Sequence, residues 1–298
     1  MTQQEGAGCV LRLFGAPAAA VKTAVGNFPP QWKAAAQWKS RGAETLVALQ
    51  APTAAGLKKA LQALRTAFPA DLYGEGGTTL PSAVVETLEH SDRLLVCADA
   101  EAGALLNPRL ETVKGADAVF DFGALSYAHP QTNARVEKRA RAHLPGDCTD
   151  PVRLTLARVQ AARRVVGADL AVGCARRQED CVLVLGSKKG CWLRTIPAGE
   201  NAALWLLDMI RRAAAGKPQA EGTGFLPARQ AEQGKTVRPE PRKHPLRRAV
   251  LRLLVLLLLL AAGAAAAWWY TGGDFTALPE RLSALWTEHQ PRPGATLV

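Results

Sequence analysis

Short stretches of alternating apolar and polar residues, separated by stretches with apolar residues at helical spacing, make up the first 215 residues of the chain. Alternation predicts a strand at residues 9–14, and further short stretches predict strands at 44–50, 93–98, 118–127 and 170–173, of which 93–98 has the apolar run of a buried strand. Residues 181–185 and 191–196 are predicted to form a hairpin. The helical spacing predicts helices over residues 17–25, 54–68, 80–88, 102–110, 151–166 and 201–214. Strands that alternate with helices predict an α/β fold.

The elements divide into two units. Residues 1–71 form a small α+β unit that ends after its second helix, and residues 72–215 form a larger α/β sandwich that opens with a glycine-rich turn. Residues 216–248 are rich in proline, glycine and charge and lack apolar periodicity. This composition predicts a flexible or extended linker.

The strongest apolar signal lies beyond that linker, at residues 249–270. Eighteen successive residues, 253–270, carry no charged side chain, and as a helix they would span roughly 27 Å, close to the thickness of a bilayer core. Arg252 stands at one end, and Trp268, Trp269 and Tyr270 stand at the other. Basic and aromatic flanks are typical of a membrane anchor, so the pattern favours one transmembrane helix over a buried core helix.

The charges around this stretch predict its orientation. Residues 235–252 contain seven basic side chains and one acidic one, and they contribute six of the net charge of +11. The positive-inside rule then places the N-terminal domain in the cytoplasm and residues 271–298 outside, as a single-pass protein of the cell membrane. The basic run is expected to attract anionic headgroups of the lipid bilayer.

A nucleic-acid partner is a weaker interpretation of the basic charge. Residues 74–77 satisfy the GxxG pattern of nucleic-acid-binding KH domains, but Glu75 inside it would repel phosphate. A patch could still be formed by basic residues of two helices, and the pattern favours solvated helix faces instead. These residues are Arg135, Lys138, Arg139, Arg141, Arg153, Arg158, Arg163 and Arg164.

The six cysteines are scattered and contain no C-x-x-C pair. In a cytoplasmic domain they are expected to be reduced thiols. Cys174, Cys181 and Cys191 lack the tight spacing of zinc ligands, so no metal site is predicted.

We call the part of the chain before the linker, residues 1–215, the head. Four stretches of the head, taken in order, resemble the competence/damage-inducible protein A (CinA) family. They are L-R-L-F-G at residues 11–15, L-Y-G-E-G at 72–76, G-A-D-A-V-F with a later glycine and tyrosine at 115–127, and G-A-D-L-A at 167–171. The resemblance covers residues 9–214. It implies that a KH-like α+β segment precedes a domain similar to the family's nicotinamide-nucleotide amidohydrolase. It also implies a homo-oligomer.

The departures from the family pattern fall where that family does its chemistry. The family's A-E-S-C-T-G-G loop, with serine as the presumed nucleophile, aligns with residues 98–104 and places Ala100 at the serine position. A methyl group cannot attack an amide. The family's lysine after the tyrosine and its T-G-I-A-G-P loop have no counterpart here, and only Tyr127 remains. The resemblance therefore implies a catalytically inactive relative, a pseudoenzyme.

The degenerate pocket still offers polar groups. Asp99, Glu101, Gly103, Tyr127 and His129 are the candidates for contacting a ligand, and a carboxylate with a histidine could also perform acid–base chemistry. Two functions follow: an interaction or nucleotide-sensing domain with a pyridine nucleotide as ligand, or an active nicotinamide mononucleotide deamidase with a rearranged site. Nucleic-acid binding by the KH-like segment is a third. No cofactor is predicted.

Overall fold

The computed structural model describes residues 7–121 and 129–234. The strands are β1 (Ala7–Phe14), β2 (Ala35–Arg41), β3 (Glu44–Ala51), β4 (Leu72–Glu75), β5 (Leu95–Cys97), β6 (Leu170–Arg176), β7 (Asp180–Gly186), β8 (Gly190–Pro197) and β9 (Gly224–Pro227). The helices are α1 (Ala18–Gly26), α2 (Ala54–Ala67), α3 (Leu80–His90), α4 (Ala100–Leu110), α5 (Ala116–Val119), α6 (Pro130–Arg141), α7 (Pro151–Val166), α8 (Ala202–Ala214) and α9 (Ala228–Glu232). The predicted mixed α/β class is confirmed.

The first four strands form an antiparallel sheet in the order β2-β3-β1-β4. Its inward-facing residues alternate along β3, where Val47 and Leu49 are buried. Helix α2 buries Leu57 and Leu64 in the same core. Buried residues therefore recur every second position in the strand and every three to four positions in the helix, and both sets pack into the same core.

The second sheet has the order β5-β6-β7-β8-β9, with β5 and β6 parallel and the other pairs antiparallel. Successive residues of β6 enter opposite cores: Val172 belongs to the core that contains α3, α4 and α8, and Ala171 to the core that contains α6 and α7. Strand β6 is buried from Leu170 to Ala175 for this reason. Helices thus cover both faces of the sheet, which explains the continuous apolar sequence of the interior strand β6.

Helix α7 shows how local signals fix an element. Asp150 caps its first turn, since its Oδ1 accepts hydrogen bonds from the backbone N–H groups of Val152 at 2.8 Å and Arg153 at 3.3 Å. Pro151 occupies the first helical position, and Gly167 ends the helix with φ of +81°. The helix predicted for residues 151–166 is confirmed.

The predicted strand at residues 118–127 is wrong in its first part. Residues 116–119 form α5, and Phe120 makes an isolated parallel bridge to Leu95. Ala116, Val119 and Phe120 are buried at intervals of three and four residues, which is the spacing of a helix rather than of a strand. Residues 122–128 lie outside the described part of the chain.

Two predicted boundaries also shift. Strand β4 pairs with β1, so residues 72–75 complete the first sheet instead of opening the second unit. Residues 216–234, predicted as the start of a linker, pack on the head: β9 pairs with β8, and α9 packs on α7. Leu226 and Ala231 are buried there, too few apolar positions to form a recognisable period.

No helix within residues 7–121 and 129–234 has both the length and the apolar character that crossing a bilayer requires. The predicted span at residues 249–270, with Arg252, Trp268, Trp269 and Tyr270, lies outside the described residues, as do residues 235–248 and 271–298.

Candidate functional site

The residues aligned with the family's serine loop, 98–104, run from the end of β5 into the first turns of α4. Asp99 is the N-cap of α4, and its Oδ1 accepts a hydrogen bond of 2.8 Å from the N–H of Ala102. Ala100 is the first helical residue and is exposed. Gly103 is buried, and its N–H donates to the carbonyl oxygen of Asp99 at 3.2 Å. The alanine therefore occupies a strand-to-helix turn.

Asp99 also contacts the neighbouring strand β6. The N–H of Cys174 lies 3.1 Å from its Oδ2 and 3.3 Å from its Oδ1. Burial raises the pKa of the Asp99 carboxyl to about 6, although these backbone hydrogen bonds and the charge of Arg158 lower it. The carboxyl group thus titrates well above the usual range for aspartate.

Gly173 makes this contact sterically feasible. A Cβ atom at this position would lie 2.7 Å from Oδ2 of Asp99 and 2.6 Å from Cγ2 of Thr155 in α7. Both distances are far shorter than a van der Waals contact. Glycine therefore allows β6, α7 and the start of α4 to approach one another closely.

Arg158 of α7 holds the other side of the turn. It donates from Nε to the carbonyl oxygen of Ala98, from Nη1 to Oε2 of Glu137 at 2.6 Å, and from Nη2 to Oδ1 of Asn133. One guanidinium thereby joins the end of β5 to α6. The sequence pattern placed Arg158 on a solvated helix face. Its three partners lie 21 to 60 positions away along the chain, so no local pattern indicates them.

Glu101 forms an ion pair at the surface. Nε and Nη2 of Arg176 donate to its Oε2 at 2.9 Å and 2.7 Å, and this hydrogen bonding raises the pKa of the guanidinium. Both side chains are exposed. The pair joins the first turn of α4 to the end of β6.

A cleft of about 660 Å³ opens beside this pair. Leu105 and Arg109, four and eight residues after Glu101 on α4, line one wall, and residues 176–181 and 196–203 line the others. Arg109 Nη2 lies 3.5 Å from Oδ1 of Asn201, the N-cap of α8. The cleft therefore combines apolar contacts with cationic and amide groups and with the carboxylates of Glu179, Asp180 and Glu200.

The two thiols that line the cleft, Cys174 and Cys181, are not activated. Burial, together with nearby groups, raises the pKa of Cys174 to about 12, and burial also raises the pKa of Cys181. Both thiols are therefore protonated near neutral pH, whereas a nucleophilic cysteine requires the thiolate. Among the described residues, no group of three or more histidine, cysteine, aspartate or glutamate side chains could hold a metal ion.

The described residues of the predicted pocket lie at the starts of two helices. Asp99, Ala100, Glu101 and Gly103 lie at the start of α4. His129 is the N-cap of α6, and its Nδ1 accepts a hydrogen bond of 3.4 Å from the N–H of Thr132. Tyr127 lies outside the described residues. The sequence did not lead us to assign Gly173, Arg158 or Arg109 to this site.

The GxxG sequence at residues 74–77 is not a loop between two helices. Gly74 and Glu75 end strand β4, and Gly76 adopts a positive φ of +59° in the turn that follows. Glu75 accepts a hydrogen bond of 2.5 Å from Arg65 of α2. The segment thus has an acidic side chain at the end of an edge strand.

No protein-family model matches the chain. Over 78 residues the chain is 28% identical to a CinA-like protein of Prochlorococcus marinus (strain MIT 9215). The match covers 26% of this chain and 18% of that protein, so it spans less than a fifth of the relative's own length.

Two solved structures are also matched. A competence-damaged protein (CinA) superfamily protein from Klebsiella pneumoniae is 15% identical with a TM-score of 0.32, over 46% of this chain and 92% of that one. A competence or damage-inducible protein from Enterobacter asburiae is 12% identical with a TM-score of 0.32, over 47% and 96%. With the motifs at residues 11–15, 72–76, 115–127 and 167–171, the curated match supports the assignment of this chain to the CinA-like proteins.

Proposed function

We propose that this chain is a membrane-anchored CinA-like protein whose cytoplasmic head does not hydrolyse amides. Its four-stranded sheet corresponds to the KH-like segment of the family, and its five-stranded sheet to the amidohydrolase-like domain. The head acts as an interaction or nucleotide-sensing domain that binds a pyridine nucleotide in the cleft beside α4. The observation that carries the proposal is Ala100, an exposed methyl group at the first position of α4, where the resemblance requires a serine nucleophile.

The polar groups around Ala100 support the absence of turnover. Both oxygens of Asp99 accept hydrogen bonds from backbone N–H groups, and Glu101 is paired with Arg176. A general base must reach the proton that it removes. In addition, the Asp99 carboxylate caps the helix end where an oxyanion would need the N–H groups, so its charge opposes the developing negative charge.

The cleft supports ligand binding. Arg109 provides a cation on its wall, and Asn201 marks the N-terminus of α8, where backbone N–H groups favour an anion. A nucleotide phosphate matches that pair, while Leu105 and Ile196 supply apolar surface for a ring.

Calorimetric titration of the full chain in detergent with nicotinamide mononucleotide tests the ligand. We expect saturable binding, and we expect Arg109→Glu to weaken it at least tenfold, because the substitution places a negative charge next to the phosphate. Arg135→Glu, an exposed substitution on α6 outside the cleft, is the matched control and should bind as the wild type does. Equal affinity of the Arg109→Glu variant would contradict this ligand site.

The anchor is tested separately by extracting membranes with alkaline carbonate. A chain that spans the bilayer through residues 249–270 stays in the pellet, and a chain truncated after residue 248 is released. Release of the intact chain would remove the anchor from the proposal, whereas the ligand site would be unaffected.

One observation favours the alternative, an active nicotinamide mononucleotide deamidase with a rearranged site. The pKa of Asp99, at about 6, is close to the range in which a carboxylate works as a general base near neutral pH. This function requires that purified chain release ammonia and that Asp99→Asn abolish the release. For the third candidate, nucleic-acid binding by the KH-like segment, the head must bind nucleic acid with an affinity that falls steeply with salt.

A further inference from the structure

A cluster of cations lies on the side of the five-stranded sheet that α6, α7 and α9 cover. It consists of side chains from the end of α6, the end of α7, the β7–β8 turn and α9, and we call it the basic face. Its members are Arg139, Arg163, Arg164, Lys188, Lys189 and Arg229. None of them belongs to the cleft beside α4.

Direct contacts show that these elements are contiguous. Arg139 and Arg164 line one surface depression together with His143 and Glu232. Nε2 of Gln160 in α7 donates to the carbonyl oxygen of Ser187 in the β7–β8 turn at 3.1 Å.

The β7–β8 turn also contacts α9. The N–H of Ala228, the residue before Arg229, donates to the carbonyl oxygen of Lys189 at 3.2 Å. The cations of four elements thus share one surface.

Two carboxylates offset part of this charge. Glu232 is paired with Arg164, and Asp169, which accepts a hydrogen bond of 3.0 Å from the N–H of Leu94, interacts electrostatically with Arg163. Six cations against these two carboxylates leave the basic face net positive. Lys188, Lys189 and Arg229 are exposed. Repulsion from Arg164 adds to burial in lowering the pKa of the Arg163 guanidinium, as expected where like charges crowd together.

The described chain ends at this same surface. The carbonyl oxygen of Gly234 accepts a hydrogen bond of 2.9 Å from Nε of Arg153 in α7, directly after α9. The sequence then continues into residues 235–252, with seven basic residues and one acidic one. The basic run at residues 235–252 therefore follows, in sequence, directly on the basic face.

We propose that the basic face is a docking surface for anionic lipid headgroups, which holds the head against the bilayer. This inference depends on the proposed membrane anchor and adds a second contact to it. The charges of the basic face and of the headgroups are complementary, and anionic leaflets attract lysine and arginine within a Debye length of the surface. The anchor makes that contact intramolecular, so a weak patch suffices for a substantial bound fraction.

The test uses the full chain in nanodiscs, either of phosphatidylcholine alone or with one quarter phosphatidylglycerol, and measures hydrogen exchange by mass spectrometry. We expect exchange in peptides that cover residues 187–190 and 228–233 to slow at least threefold with phosphatidylglycerol. The effect should disappear in high salt and in the variant Lys188→Glu/Lys189→Glu. The matched control is Lys58→Glu/Lys59→Glu on α2, an exposed lysine pair in the other sheet's layer, which should keep the protection.

Each other outcome contradicts the inference. Equal exchange in the two lipid compositions, or protection that persists in the Lys188→Glu/Lys189→Glu variant, overturns it. So does protection of the same peptides by duplex DNA, but not by phosphatidylglycerol, which would reassign the face to nucleic acid. A chain that leaves both kinds of nanodisc overturns the anchor and the docking together, whereas a retained chain without protection overturns the docking alone.

Discussion

Nη2 of Arg212 in α8 lies 2.8 Å from Oδ1 of Asp71, the residue before β4. The same guanidinium donates to Oδ2 of Asp208 at 2.6 Å and to the carbonyl oxygen of Phe14, at the end of β1, at 2.9 Å. The side chains of Arg212 and Asp208 are 2% and 1% exposed. Because α8 packs on the five-stranded sheet and β1 and β4 belong to the other, these contacts join the two sheets.

We expect Arg212→Met to lower the free energy of unfolding by about 3–5 kcal/mol, the range for breaking a buried ion pair on one side. The substitution removes one cation from Asp208 and leaves the carbonyl oxygen of Phe14 without this donor. Urea denaturation measures the change. Arg135→Met removes an exposed guanidinium and is expected to stay within about 0.5 kcal/mol of the wild type. A loss of less than 1 kcal/mol for Arg212→Met would show that the cluster does not stabilise the joint.

Gly173→Ala tests the close packing behind Asp99. The new Cβ would lie within 2.7 Å of atoms of Thr155, Val159 and Asp99, so these side chains must move. Overpacking of this kind costs about 1–3 kcal/mol. Gly146→Ala is the control, since a Cβ there meets no atom within 4 Å. Equal stability of the two variants would contradict the described packing.

The raised pKa of Asp99 predicts how stability depends on pH. Because the carboxyl has a pKa of about 6 in the folded chain and about 3.9 when unfolded, the folded state binds more protons between those values. This group therefore lowers the free energy of unfolding as the pH rises from about 4 to 6. Below about pH 4 both states are protonated, and the effect vanishes.

In the Asp99→Asn variant this contribution is absent. We expect the stability of the variant relative to the wild type to increase between pH 4 and 7 and to be constant below pH 4. Urea denaturation at several pH values measures it, with Asp117→Asn, an exposed carboxyl on α5, as the control. A difference that falls over the same interval would mean that the pKa of Asp99 is lowered instead.

Ala100→Ser restores the hydroxyl group of the presumed family nucleophile. We expect no ammonia release from nicotinamide mononucleotide, because Asp99 is held by the N–H groups of Ala102 and Cys174 and the family's lysine is missing. An enzyme-coupled ammonia assay measures the outcome. Turnover by this variant, with none by the wild type, would show that the remaining site is intact and that only the nucleophile was lost.

The elements that sequence could predict are those with a clear period or a local cap. Helix α7 has Asp150, Pro151 and Gly167 at its ends, and the β7–β8 hairpin has alternating apolar residues around a short turn. Strand β2 was missed because six of its seven residues are exposed, so its place depends on hydrogen bonds to β3. The bounds of helix α6 were not predicted, because it buries only Val136 and Ala140, which are too few positions to show a period.

The site was predictable in the same partial way. The family motif located Ala100 and its neighbours, because they follow one another in the chain. Arg158 and Gly173 could not be inferred, since their roles depend on contacts with residues about 60 to 75 positions away. The residues around a helical arginine do not indicate which distant carbonyl oxygen its guanidinium will contact.

Ammonia release from nicotinamide mononucleotide by the full chain is the most direct measurement of the central claim, that the head binds without turnover. The account predicts calorimetric binding of the nucleotide with no ammonia above a blank without protein. Ammonia release that depends on the wild-type chain and disappears in the Asp99→Asn variant would contradict it, because that variant keeps an acceptor oxygen at the cap of α4 but cannot act as a base.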